Sequence, residues 1–263
     1  MTTTIALAGK GGTGKTTISA MIVKYLLKKQ SAPILAIDAD PSANLNMVLG
    51  VELDNTVGGI REDMLKQVQG AQNVTGAARG SIGGGMSKHE YLDYEIHSSL
   101  IESDRFDLIA MGRSEGPGCY CAVNHNLRDI LDTLSDNYPY VVMDNEAGME
   151  HLGRRTTQDV HHLFVVSDPT LRGIVAAERI VELKDELEIN VENTYLILNR
   201  LPGEIPPLLQ EKIDSIDVTF LGTVPLDDSV TEYDFSGTPL IELEENSPVY
   251  QAVEKMLDQT LGL

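Results

Sequence analysis

The sequence predicts an α/β fold: one domain over residues 1–263, with a mostly parallel sheet of roughly seven strands covered by helices on both faces. Short apolar runs, each of strand length, alternate with stretches of helical periodicity, the pattern of a parallel sheet built from crossover units. The first run, Ile5-Ala6-Leu7-Ala8, enters the glycine-rich segment Gly9-Lys10-Gly11-Gly12-Thr13-Gly14-Lys15-Thr16-Thr17, which opens a helical stretch. Two further runs end in aspartate, at the strand edge where open α/β sheets bind ligands.

Taken in order, the helix after the glycine-rich segment carries Ile18, Met21, Ile22, Tyr25 and Leu26 at helical spacing, and Lys28 and Lys29 favour its C-terminal end. Pro33–Ile37 is a buried strand closing on Asp38-Ala39-Asp40-Pro41. Residues 51–105 are patterned more weakly. Helical periodicity at 58–70 and 88–102 flanks a glycine-rich run at 76–85 that is expected to be mobile, and the whole stretch reads as an insertion, either contacting a partner or forming a surface loop. Further strands are expected at Asp107–Gly112, Tyr140–Asp144, Leu163–Ser167, Thr194–Asn199 and Val218–Val224, with helices around 127–134, 172–188, 206–214 and 247–261. The last helix has Val249, Val253, Met256, Leu257 and Leu261 on one face and only Lys255 as a basic residue, so it should pack in the core rather than on a membrane.

Gly9, Gly14, Lys15 and Thr16 meet the spacing GxxxxGK(S/T) of a phosphate-binding loop. Backbone N–H groups of Gly11, Gly12, Thr13, Gly14, Lys15, Thr16 and Thr17 can turn onto phosphate, and the helix dipole adds to the attraction. Lys15 should reach the β- and γ-phosphates, and the Thr16 hydroxyl should ligate Mg²⁺. Asp144, ending a hydrophobic strand, is the carboxylate expected to hold Mg²⁺ through water. Asp38 and Asp40 should lie near the nucleotide. Lys15, Thr16 and Asp144 with Mg²⁺ supply the positioning and charge neutralisation that phosphoryl chemistry mainly needs.

Composition narrows the partners. Twenty Lys and Arg against forty Asp and Glu leave a net charge of −20 spread along the chain, which repels nucleic acid and anionic lipid. The apolar runs are too short to span a bilayer. Met1-Thr2-Thr3-Thr4 passes directly into the first strand without a leader pattern, so a cytoplasmic location is expected. The only cysteines, Cys119 and Cys121, are then free thiols or metal ligands.

Lys10, directly after the first glycine, gives the run GKGGTGKTT a second lysine, and here the sequence resembles the deviant Walker A ATPases of the MinD, ParA and nitrogenase iron protein group. The resemblance implies an ATP-dependent homodimer in which Lys10 crosses the interface to the partner's nucleotide. It also implies that Asp40 belongs to a first switch orienting the attacking water. Asp144 and Gly148 would belong to a second switch, Asp144-x-x-Ala147-Gly148, that senses the γ-phosphate. Asp38 is grouped with these switch residues. Asn199 matches the residue that reads adenine, and Pro225, in Val224-Pro225-Leu226-Asp227, belongs to a loop packing on the base's other side. Arg200 could stack on adenine but reads more simply as a surface arginine. Glu146 is expected to point away from the γ-phosphate, which it would repel.

Cys119 and Cys121 follow Gly116-Pro117-Gly118, an irregular loop poorly suited to burial. A CxC pair offers two thiolates, half the set that a closed Zn²⁺ or Ni²⁺ thiolate site wants, so two copies across a dimer axis would complete one site. His125, His151, His161 and His162 are weaker candidates. The runs GPGCYC and VVMDNEAGMEHLGRR, with GKGGTGKTT, resemble the CooC group of nickel-insertion ATPases that mature carbon monoxide dehydrogenase and related enzymes. That resemblance implies ATP/ADP and Mg²⁺ as cofactors, Ni²⁺ (or Zn²⁺ in the same site) at Cys119 and Cys121, and a nickel enzyme such as carbon monoxide dehydrogenase as client. Two alternatives stay open: an iron-sulfur reductase or carrier resembling the nitrogenase iron protein, and a positioning switch without metal.

Overall fold

The computed structural model describes residues 2–30, 32–60, 81–82, 86–112, 130–146, 159–184 and 190–263. Its strands are β1 (Thr3–Ala8), β2 (Ile34–Asp38), β3 (Ser81–Ile82), β4 (Met86–Ser87), β5 (Ile101–Glu102), β6 (Phe106–Ala110), β7 (Tyr140–Asp144), β8 (Asp159–Ser167), β9 (Asn190–Leu201) and β10 (Thr219–Pro225). The helices are α1 (Lys15–Lys29), α2 (Leu45–Leu49), α3 (Lys88–Ser98), α4 (Leu171–Leu183), α5 (Pro207–Asp214), α6 (Asp228–Ser236) and α7 (Pro248–Leu261).

The main sheet runs β10-β9-β8-β1-β7-β2-β6-β5. Seven strands are parallel and correspond to the seven expected; the eighth, β5, adds an antiparallel edge pair to β6 where a helix had been expected to reach 102. β3 and β4 pair separately, partly within the glycine-rich run at 76–85.

Because both faces of a parallel sheet are covered, its strands are apolar at nearly every position, and successive residues feed two different cores. Ala6, Ala8, Leu35, Ile37, Val141 and Met143 face α3, α4 and α5. Ile5, Leu7, Ile34, Ala36, Val142 and Phe164 face α1 and α7. Leu92 and Ile96 of α3, and Val57 and Ile60 in a helical turn at 57–60, belong to the first core. The last helix packs as expected, burying Val249, Tyr250, Val253, Met256 and Leu257. Among the described residues no helix is long and apolar enough to cross a membrane.

The chain leaves β1 to reach β2 across β7, and leaves β7 to reach β8 across β1. Such a reversal opens a crevice at the C-terminal ends of the central strands, the place where sheets of this class take ligands. His161 and His162 lie near the other end of this sheet, where the Thr4 N–H donates to His161 Nδ1 at 3.0 Å and the His162 ring stacks with Phe164 and Tyr195.

Candidate functional site

At the end of β1 the backbone turns sharply at Gly9. A Cβ there would sit 2.3 Å from the carbonyl oxygen of Val166 on β8, and no side chain fits against a backbone held in a central strand. The loop closes on itself through Thr13, whose N–H and Oγ1 both donate to the Lys10 carbonyl, at 3.4 and 3.0 Å. Gly14, at φ +90°, is the left-handed residue that starts α1. Lys15 is 7% exposed and its ammonium bends back to donate to the carbonyls of Gly9 (3.3 Å) and Lys10 (3.4 Å). Burial lowers its pKa, while the carboxylates of Asp144, Asp40 and Glu146 pull it back up. Glu146, read as turned away, is therefore within electrostatic reach of Lys15. The Lys10 side chain is exposed.

A second element braces the loop from outside. Asn199, near the end of β9, is 3% exposed; its Nδ2 donates to the Thr13 carbonyl at 2.8 Å and its Oδ1 accepts the Arg200 N–H at 2.9 Å. Arg200 itself adopts φ +59° and donates from Nη1 to the Gly12 carbonyl at 3.0 Å. It is exposed, as expected of a surface arginine, and in addition ties the loop from outside. One amide hydrogen and one lone pair of Asn199 remain for another partner. Thr17, Asn199, Arg200, Pro225, Leu226 and Asp227 line a cavity of about 250 Å³. This is smaller than the ~300–1,000 Å³ of a typical small-molecule site and suits one end of a nucleotide.

The acidic side of the crevice comes from β2 and β7, where Asp38 and Asp144 stand in register on adjacent strands. Burial pushes Asp38 up to about 7, opposed by hydrogen bonds from the N–H groups of Leu45 (2.8 Å) and Asp40 (3.0 Å). Both oxygens of Asp38 are thus committed to the backbone that leads into α2. Asp40 is half-buried, and its Oδ1 accepts the Ser42 N–H at 2.8 Å.

Asp144 differs. Burial pushes it up to about 6, with the Thr16 hydroxyl, the Lys15 ammonium and the Ser19 hydroxyl opposing. Yet its Oδ1 has no hydrogen-bond partner, nor has the nearby Ser19 Oγ. Asn145, 1% exposed, donates from Nδ2 to the Leu7 carbonyl at 2.8 Å and leaves its Oδ1 unpartnered. Buried polar atoms without partners are costly and rare. Here they are hard oxygens beside a phosphate loop, a donor set that fits Mg²⁺ and its waters.

The site thus brings together Lys15, Thr16, Asp38, Asp40 and Asp144 from the expected set, and Asn199 with Pro225 at the cavity. Ser19, Asn145 and the clamping role of Arg200 were not anticipated; only Ser19 had a signal, standing three residues after Thr16 on one helix face. Gly148, Cys119, Cys121, His125 and His151 lie outside the described residues. Among the described residues no three His, Cys, Asp or Glu side chains form a metal-holding group.

The carbon monoxide dehydrogenase accessory protein CooC of Rhodospirillum rubrum is 29% identical over 249 residues, covering 91% of this chain and 89% of that protein. An ATP-binding protein of Methanocaldococcus jannaschii is 42% identical over 258 residues, 98% of each chain. Among solved structures, the MinD cell division protein of Aquifex aeolicus shares the fold with a TM-score of 0.68 at 21% identity, covering 99% of this chain and 97% of that one. Residues 4–240 match the family described as the CobQ/CobB/MinD/ParA nucleotide binding domain. With its phosphate loop braced from β9 and its paired aspartates on β2 and β7, the chain belongs to this nucleotide-binding family and is a P-loop NTPase.

Proposed function

We propose that the protein is an ATP-hydrolysing homodimer that delivers nickel to carbon monoxide dehydrogenase or a related nickel enzyme, holding the metal between subunits through Cys119 and Cys121 of each. The ATPase half of this reading rests on one observation: Asp144 Oδ1, buried and unpartnered, beside Thr16 and Lys15 at the mouth of the loop. Binding of ATP would draw the Lys15 ammonium from the Gly9 and Lys10 carbonyls onto phosphate oxygens, replacing two long bonds to neutral acceptors by shorter ones to charged acceptors. Thr16 and Asp144 would hold Mg²⁺, which when bound neutralises charge on the β- and γ-phosphates. Asp40, on the turn tied down by Asp38, would orient the attacking water. Lys10, already exposed, would reach across to the partner's nucleotide, and Gly148 would sense the γ-phosphate. Adenine would lie in the cavity beside Asn199 and Pro225.

The nickel half is supported by the relative named as a carbon monoxide dehydrogenase accessory protein and by the CxC pair, whose two thiolates need a second copy to complete four. A second reading, a MinD-like positioning switch without metal, is favoured by the shared fold with MinD. A third, an iron-sulfur carrier, would use the same dimer axis. Sedimentation of anaerobic protein with and without Mg-ATP, with nickel, zinc and iron assayed in each peak, separates them. One Ni²⁺ or Zn²⁺ per dimer, lost when both cysteines become alanine, is the expected result. Four irons per dimer would establish the iron-sulfur carrier, and a metal-free dimer after nickel loading the positioning switch.

A further inference from the structure

We propose that Arg200 is a positioning residue for phosphate binding, acting through the loop backbone rather than on the nucleotide itself. Asn199 and Arg200 are consecutive on β9, and consecutive residues of an extended strand send their side chains to opposite faces. Both nevertheless reach the same loop. The left-handed torsion at Arg200, φ +59°, breaks the alternation, with the Arg200 N–H drawn onto Asn199 Oδ1 at 2.9 Å. A residue with a side chain is strained there, and such strain persists where surrounding contacts over-determine it, as at ligand clamps.

The two contacts fall on neighbouring peptide groups. Asn199 Nδ2 donates to the Thr13 carbonyl at 2.8 Å and Arg200 Nη1 to the Gly12 carbonyl at 3.0 Å. A trans peptide is planar, and its C=O and N–H point in opposite directions. Carbonyls held outward by β9 therefore turn the N–H groups of Thr13 and Gly14 toward the inside of the loop. The Thr13 N–H is indeed directed there, at the Lys10 carbonyl, the oxygen that also receives the Lys15 ammonium. At 3.4 Å this is a long bond to a neutral acceptor, readily exchanged for a phosphate oxygen.

The two residues are not equivalent. Asn199 is a buried, neutral donor, whereas Arg200 is exposed and permanently charged. A cation on the Gly12 carbonyl polarises that peptide and strengthens its N–H as a donor to an anion. Asp227 and Asp234 line the same cavity, so Arg200 also supplies positive charge beside two carboxylates. This role deepens the ATPase reading above and rests on it for the nucleotide; the grip of the loop on phosphate can be tested without it.

Magnesium pyrophosphate, ADP and adenosine, titrated by calorimetry into the native chain, Arg200→Ala and Arg200→Gly, separate loop from base. Both variants should lose about tenfold in affinity for pyrophosphate and for ADP, with adenosine unchanged. In protein labelled for amide NMR, pyrophosphate should move the Thr13 amide proton downfield in the native chain and much less in Arg200→Ala. Gly14, whose peptide is held by Asn199, should still move in that variant, a difference that a merely structural role would not produce. Loss of adenosine affinity with pyrophosphate unaffected overturns the proposal and makes Arg200 a base-stacking residue. Native affinity in Arg200→Gly beside a loss in Arg200→Ala also overturns it, because the strained torsion and not the guanidinium would then be responsible. So do equal affinities throughout, or Thr13 and Gly14 shifts that vanish together. If pyrophosphate binds with the expected dependence on Arg200 but the native chain hydrolyses no ATP, the ATPase reading fails and the role of Arg200 stands.

Discussion

Replacing Gly14 by alanine builds a methyl group 2.3 Å from Asn199 Nδ2, at a residue whose φ is +90°. A non-glycine residue held in such a conformation costs about 1–3 kcal/mol. Moving the Asn199 amide out of the way also breaks its 2.8 Å bond to the buried Thr13 carbonyl, which costs about 1–3 kcal/mol more as an unsatisfied group. Asn199→Ala alone loses that same bond, about 1–3 kcal/mol. In the double variant the bond is lost only once and the new methyl enters the space the amide has left. Its destabilisation should therefore match that of Gly14→Ala and fall short of the sum of the single changes by about 1–3 kcal/mol. Urea unfolding of the three nucleotide-free variants measures this coupling, and titration with a fluorescent ATP analogue should show the same ordering. Effects that add within about 0.5 kcal/mol would mean that Asn199 does not brace the loop through Gly14 and Thr13.

Lys15→Ala should abolish nucleotide binding, and unchanged ATP affinity by calorimetry would remove the phosphate-loop role. Asp40→Ala should bind ATP with near-normal affinity and hydrolyse it at least about 100-fold more slowly, the scale of a lost water-orienting group; near-normal turnover would refute that role. Cys119→Ala with Cys121→Ala should keep ATP hydrolysis and lose nickel, so stoichiometric nickel retained in that protein would sink the shared thiolate site. Asp38 titrates at about 7 when folded against about 3.9 unfolded, so the stabilisation is fully present below about pH 4 and is lost as pH rises through about 7. Three units correspond to at most roughly 4 kcal/mol, and Asp38→Asn should flatten the fall in urea midpoint between pH 5 and pH 8.

What could be read from the chain depended on burial. The central strands announced themselves as apolar runs because both their faces are covered. β8 and β9 begin several residues before their expected starts because Asp159 and Asn190 are exposed and His161, Glu192 and Asn193 interrupt the run. α2 has five residues, too few to show a period, and α6 buries none, so neither left an apolar stripe. For α6 the caps were nonetheless in view: Asp227 at its start and Gly237 after its end are the ordinary boundary residues. That Lys15, Thr16 and Asp144 come together was readable because a phosphate-loop pattern has fixed spacing and a strand-end carboxylate a fixed place beside it. Arg200 was not, since its bond to Gly12 joins residues far apart in sequence and depends on one left-handed backbone torsion.

Asp38 and Asp144 show why a pattern of carboxylates at strand ends does not by itself distribute roles. Both are buried, both are raised by burial, and they are neighbours across one strand pair. Asp38, however, spends both oxygens on backbone N–H groups, so it shapes the turn that carries Asp40 and the start of α2. Asp144 keeps one oxygen without a partner, next to the unpartnered Ser19 hydroxyl and the Asn145 carbonyl. Leaving polar atoms buried and unmatched lowers the stability of the empty fold, and under the proposed ATPase role a hydrated cation arriving with a nucleotide would relieve that cost at the same atoms. Nucleotide and fold would then be linked through Asp144 rather than through Asp38. Mg-ATP should raise the unfolding temperature of the native chain and of Asp38→Asn, but leave that of Asp144→Ala nearly unchanged; a full thermal shift in Asp144→Ala would place the cation elsewhere.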